Sequence, residues 1–149
     1  MGFPLFYPMR KAFTLPELML VLALVGILTG VAVPRLSGAL DRIEVEGAAN
    51  RLIASHQRAR IMAITRGQTV LLSIDSTRLT ISSQGGTDSL WSDSGPASSG
   101  VELAGPPRQF TFSPEGITLG LSNATLHLSR GSTTRTLVIS RLGRIRMVR

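Results

Sequence analysis

Few side chains in this sequence are of the types that make and break bonds, and their spacing keeps them apart. There is no cysteine, which excludes disulfides, thiolate metal sites and cysteine nucleophiles. Glu44 and Glu46 are the nearest carboxylate pair, but two positions apart on a helix they point to different faces and form no acid–base couple. His56 stands beside Ser55 and Gln57 with no second ligand candidate near it, and reads as a packed or surface histidine. His127 alternates with Leu126 and Leu128, so a strand period turns it to the polar face. Asp75-Ser76 and Asp93-Ser94 read as turn chemistry, the carboxylate bonding local backbone. No catalytic constellation and no metal set assembles. The chain is not read as an enzyme, and neither a cofactor nor a small-molecule substrate is expected.

The chemistry that remains is charge recognition. Arg144 and Arg146 alternate with Ile145 and Met147, so in a strand the two arginines share one face about 6.6 Å apart, at about 3.3 Å per residue. That separation is close to the phosphate spacing along a nucleic-acid strand, and guanidinium forks match phosphate oxygens. Arg141 and Arg149 extend the stripe. No acidic residue follows Glu115, whereas Arg130, Arg135, Arg141, Arg144, Arg146 and Arg149 all do, which leaves the local field uncancelled. The same stripe also suits the acids of a neighbouring protein or anionic lipid. A single tryptophan, Trp91, offers no stacking ladder, so DNA contact here would be backbone-led, salt-sensitive and nearly independent of sequence.

The elements that must carry these residues follow from composition and pattern. The chain has 149 residues and a net charge of +7, enough for one domain. A charged fraction of 17% with a mean hydropathy of +0.23 rules out both a disordered polybasic tail and a polytopic membrane protein. Leu18 to Pro34 reads LMLVLALVGILTGVAVP without one charge. About twenty residues rising ~1.5 Å each span a hydrocarbon core of ~30 Å, and Arg10 and Lys11 stand where positive flanks hold an N-terminus in the cytoplasm. A secretory signal peptide cut after Gly30-Val31-Ala32 is the plain alternative. Against it stands Glu17 at the mouth of the apolar run, because a lone carboxylate there costs a few kcal/mol and calls for a cationic partner.

At these residues the sequence resembles the type IV pilins and pseudopilins. The stretch Arg10-Lys11-Ala12-Phe13-Thr14-Leu15-Pro16-Glu17 is similar to that family's class III signal, with Ala12 where Gly is usual. The resemblance implies a leader, residues 1–12, removed by prepilin peptidase between Ala12 and Phe13, N-methylation of Phe13, and a Glu17 that neutralises the new amine of an adjacent subunit. It also implies a helix-weakening Gly26 and a kinking Pro34 in a segment, 13–34, that serves first as membrane anchor and then as filament core. Proline removes a helical hydrogen bond and glycine lowers helix propensity by about 1 kcal/mol, so Gly26, Gly30 and Pro34 mark a soft section.

Residues 35–67 read as the amphipathic continuation of that helix. Leu36, Leu40, Ile43, Ala48, Leu52, Ala59 and Ala63 recur at spacings of three, four or seven apart from one of five, and Gly67 is the stop. From 68 to 149 the period becomes two, and strands are expected at 69–74, 79–82, 109–112, 117–121, 125–129, 136–140 and 144–148. Residues 84–107, rich in Gly, Ser and Pro and holding Trp91, read as a long flexible loop. The expected fold is α+β, one long helix packed on an antiparallel β-sheet domain. That order, the Ser-Pro-Glu-Gly turn at 113–116, the stretch 58–67 and the ISRLGRIR ending resemble the GspH/FimT branch of the family. The resemblance implies a minor subunit of a type II secretion pseudopilus or a type IV pilus, near its tip. Its partners would be other pilins, prepilin peptidase and the inner membrane, with the β-domain in the periplasm. The Arg ending further resembles the one with which FimT-like minor pilins bind DNA in natural transformation.

Overall fold

A computed structural model describes residues 13–148 except Thr87, Leu121, Ser122, Arg141 and Leu142. The leader, Ala12, Arg141 and Arg149 therefore lie outside the described residues. Helix α1 runs Leu15–Arg66, and the chain divides into two compact units between Ser37 and Gly38.

In the first unit the helix is apolar and long enough to cross a membrane, and none of its most apolar window is buried. Phe13 is 81% exposed and Leu15 72%. Gly26 and Pro34 both lie within α1. The Thr29 hydroxyl donates back to the carbonyls of Val25 and Gly26, which satisfies a polar group that has no other partner on an apolar helix.

In the second unit the helix ends where glycine permits it. Gly67 takes a φ of 59°, and its N–H and that of Gln68 donate to the carbonyls of Ile64 and Ala63 at 3.3 Å, the left-handed turn that satisfies the last carbonyls of a helix. The strands that follow are β1 (Val70–Ile74), β2 (Arg78–Ser83), β3 (Ser89–Ser94), β4 (Glu102–Ala104), β5 (Arg108–Phe112), β6 (Thr118–Leu119), β7 (Ala124–Arg130), β8 (Thr133–Ile139) and β9 (Ile145–Val148). They form two antiparallel sheets, β3-β2-β1-β5-β6 and β4-β7-β8-β9, where the sequence led us to expect one. The strand expectations hold in place, with the run at 117–121 reduced to Thr118–Leu119 among the described residues.

Two expectations are corrected. Residues 84–107 are not one loop: they carry β3, a 3-10 helix at Pro96–Ser99 and β4. Trp91 is half-buried against the core, with the Arg58 guanidinium 4.8 Å from its ring centroid. The segment is short of large apolar residues because an edge strand needs only one side covered, so its composition reads as loop. The helix pattern is corrected at its spacing of five. Ala48, Leu52, Ala59 and Ala63 are buried, but Leu36, Leu40 and Ile43 are 62%, 49% and 63% exposed. Five residues turn a helix by about 500°, a net rotation of about 140°, so the apolar pattern changes face between Ile43 and Ala48.

Val45, Ala48, Ala49, Leu52, Ala59 and Ala63 of α1 form one buried cluster with Leu72, Ile81, Phe110 and Phe112 of the larger sheet and Leu126, Leu128, Leu137 and Ile139 of the smaller. Alanines on the helix let both sheets approach its backbone, and the large side chains come from the strands.

Candidate functional site

Three surfaces carry the residues singled out by the sequence. The first is the start of α1. The Glu17 carboxylate accepts a hydrogen bond from the Thr14 N–H at 3.4 Å one position before the helix begins. Thr14-Leu15-Pro16-Glu17 thus has the spacing of a capping box, with the bond from the acid back to the cap residue's N–H in place, a pattern that reasoning from charge alone passes over. Glu17 has a local structural task here, and it is exposed.

The second surface is the outward face of α1 in the domain. Leu40, Ile43, Gly47, Asn50, Ala54, Gln57, Ile61 and Ile64 follow one another at alternating spacings of three and four, and every one is exposed. This stripe lies about half a turn from the buried one and bears no charge, while Arg42, Glu44, Arg58 and Arg60 flank it. A 3-4 alternation is the spacing with which one helix lies along another. Composition hides the stripe because Gly47, Asn50 and Gln57 are not hydrophobic and Ala54 is small. The signal that could have found it is the unbroken spacing on from Ile43.

The third surface is β9. Ile145 and Met147 pair with the buried Ile139 and Leu137, and Arg146 pairs with Val138, so the expected alternation holds and Arg146 lies on the outer face of its sheet. Arg144 and Arg146 are exposed, and neither makes an ion pair with a described residue. On the same face, Thr136 shares a 3.1 Å hydrogen bond with the exposed His127.

Arg130 and Arg135, the other described arginines of the C-terminal stretch, are engaged. Arg130 Nε lies 3.0 Å from Asp41 Oδ1 and Arg135 lies 2.8 Å from Glu46 Oε1. Arg130 also donates to the Ser99 carbonyl, and Arg51 to the Ser99 hydroxyl. Gly131, at φ 54°, makes the approach possible, since a Cβ there would sit 2.3 Å from Asp41 Oδ2. Arg135 first, then Arg42, hold the Glu46 carboxyl below the ordinary carboxylate range. These contacts clamp the β7–β8 hairpin and the 3-10 helix to α1. The cationic stretch is therefore divided: Arg130 and Arg135 fasten the domain, whereas Arg144 and Arg146 face outward. Asp75 and Asp93 make the local turns expected, accepting from the N–H of Ser76 at 2.6 Å and of Ser94 at 2.8 Å. His56 is buried against Phe110 and Phe112 of β5.

The long helix, the two sheets on its inner face and the apolar N-terminal segment define a pilin-like subunit, and comparison with known proteins agrees. Residues 48–143 match the family described as Type II transport protein GspH, and the chain belongs to that family. Residues 8–33 match the prokaryotic N-terminal methylation motif. The chain is 34% identical to the pilin-like protein PilA1 of Thermus thermophilus, over 93% of this chain and 98% of that one. Its fold is similar to crystal structures of the type IV minor pilin FimU of Pseudomonas aeruginosa. One has a TM-score of 0.60 at 21% identity, covering 72% of this chain and 90% of that one, and a second crystal form has 0.55 at 20%, covering 70% and 92%. The protein is thus a pilin-like structural subunit of the GspH family, a kind that associates with other pilins in a filament. The apolar helix with its methylation motif fits a membrane-anchored protein assembled into a pilus.

Proposed function

We propose that the chain is a minor subunit, near the tip, of a type IV pilus or a type II secretion pseudopilus. It is cut by prepilin peptidase between Ala12 and Phe13, N-methylated on Phe13 and held in the inner membrane by one pass, with the β-domain in the periplasm. Glu17 neutralises the terminal amine of an adjacent subunit. The observation that carries the reading is the charge-free outward stripe of α1, which lipid cannot cover beyond the membrane and another subunit can. Glu17→Ala is expected to leave the domain folded and the leader cleaved while incorporation into filaments falls at least tenfold, read by immunoblot of sheared filaments against the membrane fraction. Normal incorporation of that variant would refute the pairing. Mass spectrometry of the mature chain checks the processing: N-methylated Phe13 is expected, whereas a start at Val33 would mean an ordinary secreted protein.

A second reading is favoured by Arg144 and Arg146, exposed and free of acids among the described residues. On it, β9 holds the phosphate backbone of DNA during uptake. The detergent-solubilised full chain should bind duplex DNA at low salt and lose most of that binding at higher salt. Arg144→Gln with Arg146→Gln should weaken binding at least tenfold, and unchanged affinity in the double variant would leave the arginines to a neighbouring subunit.

A further inference from the structure

His56 is 1% exposed on the face of α1 that docks on the larger sheet. Its ring stands edge-on to two phenyl rings of β5, Phe112 at a centroid distance of 5.0 Å and 80°, and Phe110 at 6.0 Å and 71°. Nε2 is buried without a hydrogen-bond partner. A nitrogen so placed is tolerated while the ring is neutral, but a buried cation without a counter-charge costs several kcal/mol. Among the described residues the surroundings offer none. From α1, the charge that acts on the ring is the like-signed Arg60. From β5 come only the phenyl rings. On the β5–β6 turn, where Arg60 lies beside Gly116, the Glu115 carboxylate is exposed and engaged by Ser113.

We infer that His56 makes the docking of α1 on the larger sheet an acid-sensitive joint: protonation of this one ring releases the helix from β5 while the strands remain paired. Burial first, and then Arg60, push its pKa down to about 4 from 6.5. The sign follows from linkage. The group binds its proton more weakly when docked, so docking is unpenalised above about pH 6.5, weakens as pH falls and is fully penalised below about pH 4. The docking equilibrium should shift on the order of a hundredfold across that window.

Trp91 is the protein's own reporter, because Arg58 of α1 stacks on its ring and it is the only tryptophan. The full chain in detergent micelles is titrated from pH 8 to pH 3, following Trp91 emission for docking and far-UV circular dichroism for strands. The wild type should show an emission change between about pH 6.5 and 4 that precedes loss of the strand signal. His56→Phe keeps an aromatic ring of similar size without the ionisable nitrogen, and should move the emission midpoint down by at least one pH unit. His56→Gln keeps a polar group that cannot be charged, and should do the same even if the phenylalanine variant packs badly. An emission midpoint unchanged in either folded variant would assign the transition to the Asp41 and Glu46 ion pairs and overturn the inference, as would simultaneous loss of both signals in the wild type.

Discussion

Ala54→Arg is expected to leave the isolated protein as stable as the wild type and to reduce its incorporation into filaments more than a hundredfold. Ala54 is exposed at the centre of the outward stripe of α1, and arginine is nearly as good a helix former as alanine, so a thermal melt should move within the range of ordinary surface changes, about 0.5 kcal/mol. Inside a helix–helix seam the same guanidinium has no partner. An unpaired buried charge costs about 3–5 kcal/mol, and each 1.4 kcal/mol is about a factor of ten in association. The measurement is the filament fraction of the variant in cells lacking the wild-type chain, beside the melting temperature of the purified protein. Wild-type incorporation would place the contact elsewhere on the domain, and a lowered melting temperature would show that Ala54 serves the fold.

Phe112→Ala should act in the opposite way, on the fold itself. Phe112 is fully buried, lies across from Val70 on β1 and Thr118 on β6, and meets His56 of α1 edge-on. It meets the helix and lies between two neighbouring strands of the larger sheet, so neighbours held by backbone pairing cannot readily collapse into the space it leaves. A loss of about 3–5 kcal/mol is expected, a large part of the ~5–15 kcal/mol that keeps a domain folded. Denaturant unfolding followed by circular dichroism checks it, and a loss below about 1 kcal/mol would mean that the site closes up.

These two residues separate what was legible in the sequence from what was not. The apolar run, the acid at its mouth, the stop at Gly67 and the two-residue period of the strands are local signals, each written in consecutive residues, and all lie where the sequence places them. The alternation of Arg146 with Ile145 and Met147 along β9 was legible for the same reason. The burial of Ala48 and the exposure of Ile43 were not, because both sit in one apolar pattern and only the sheets decide which face of α1 is covered. Nor was the division of the arginines. Arg135 and Glu46 are far apart in sequence and meet at 2.8 Å only because the β7–β8 hairpin folds back on the helix.

The sequence by itself determined that this protein is an apolar helix continued by an α+β domain. Hydrophobic period, charge-free length and turn residues are properties of neighbours along the chain, and they need no tertiary contact to be expressed. Tertiary structure alone decided which side of the helix is left bare, which cations are spent in holding the domain, and that one neutral histidine lies between helix and sheet. Each of those outcomes depends on what packs against a residue from elsewhere in the chain, and burial, counter-charge and desolvation have no value until that packing exists.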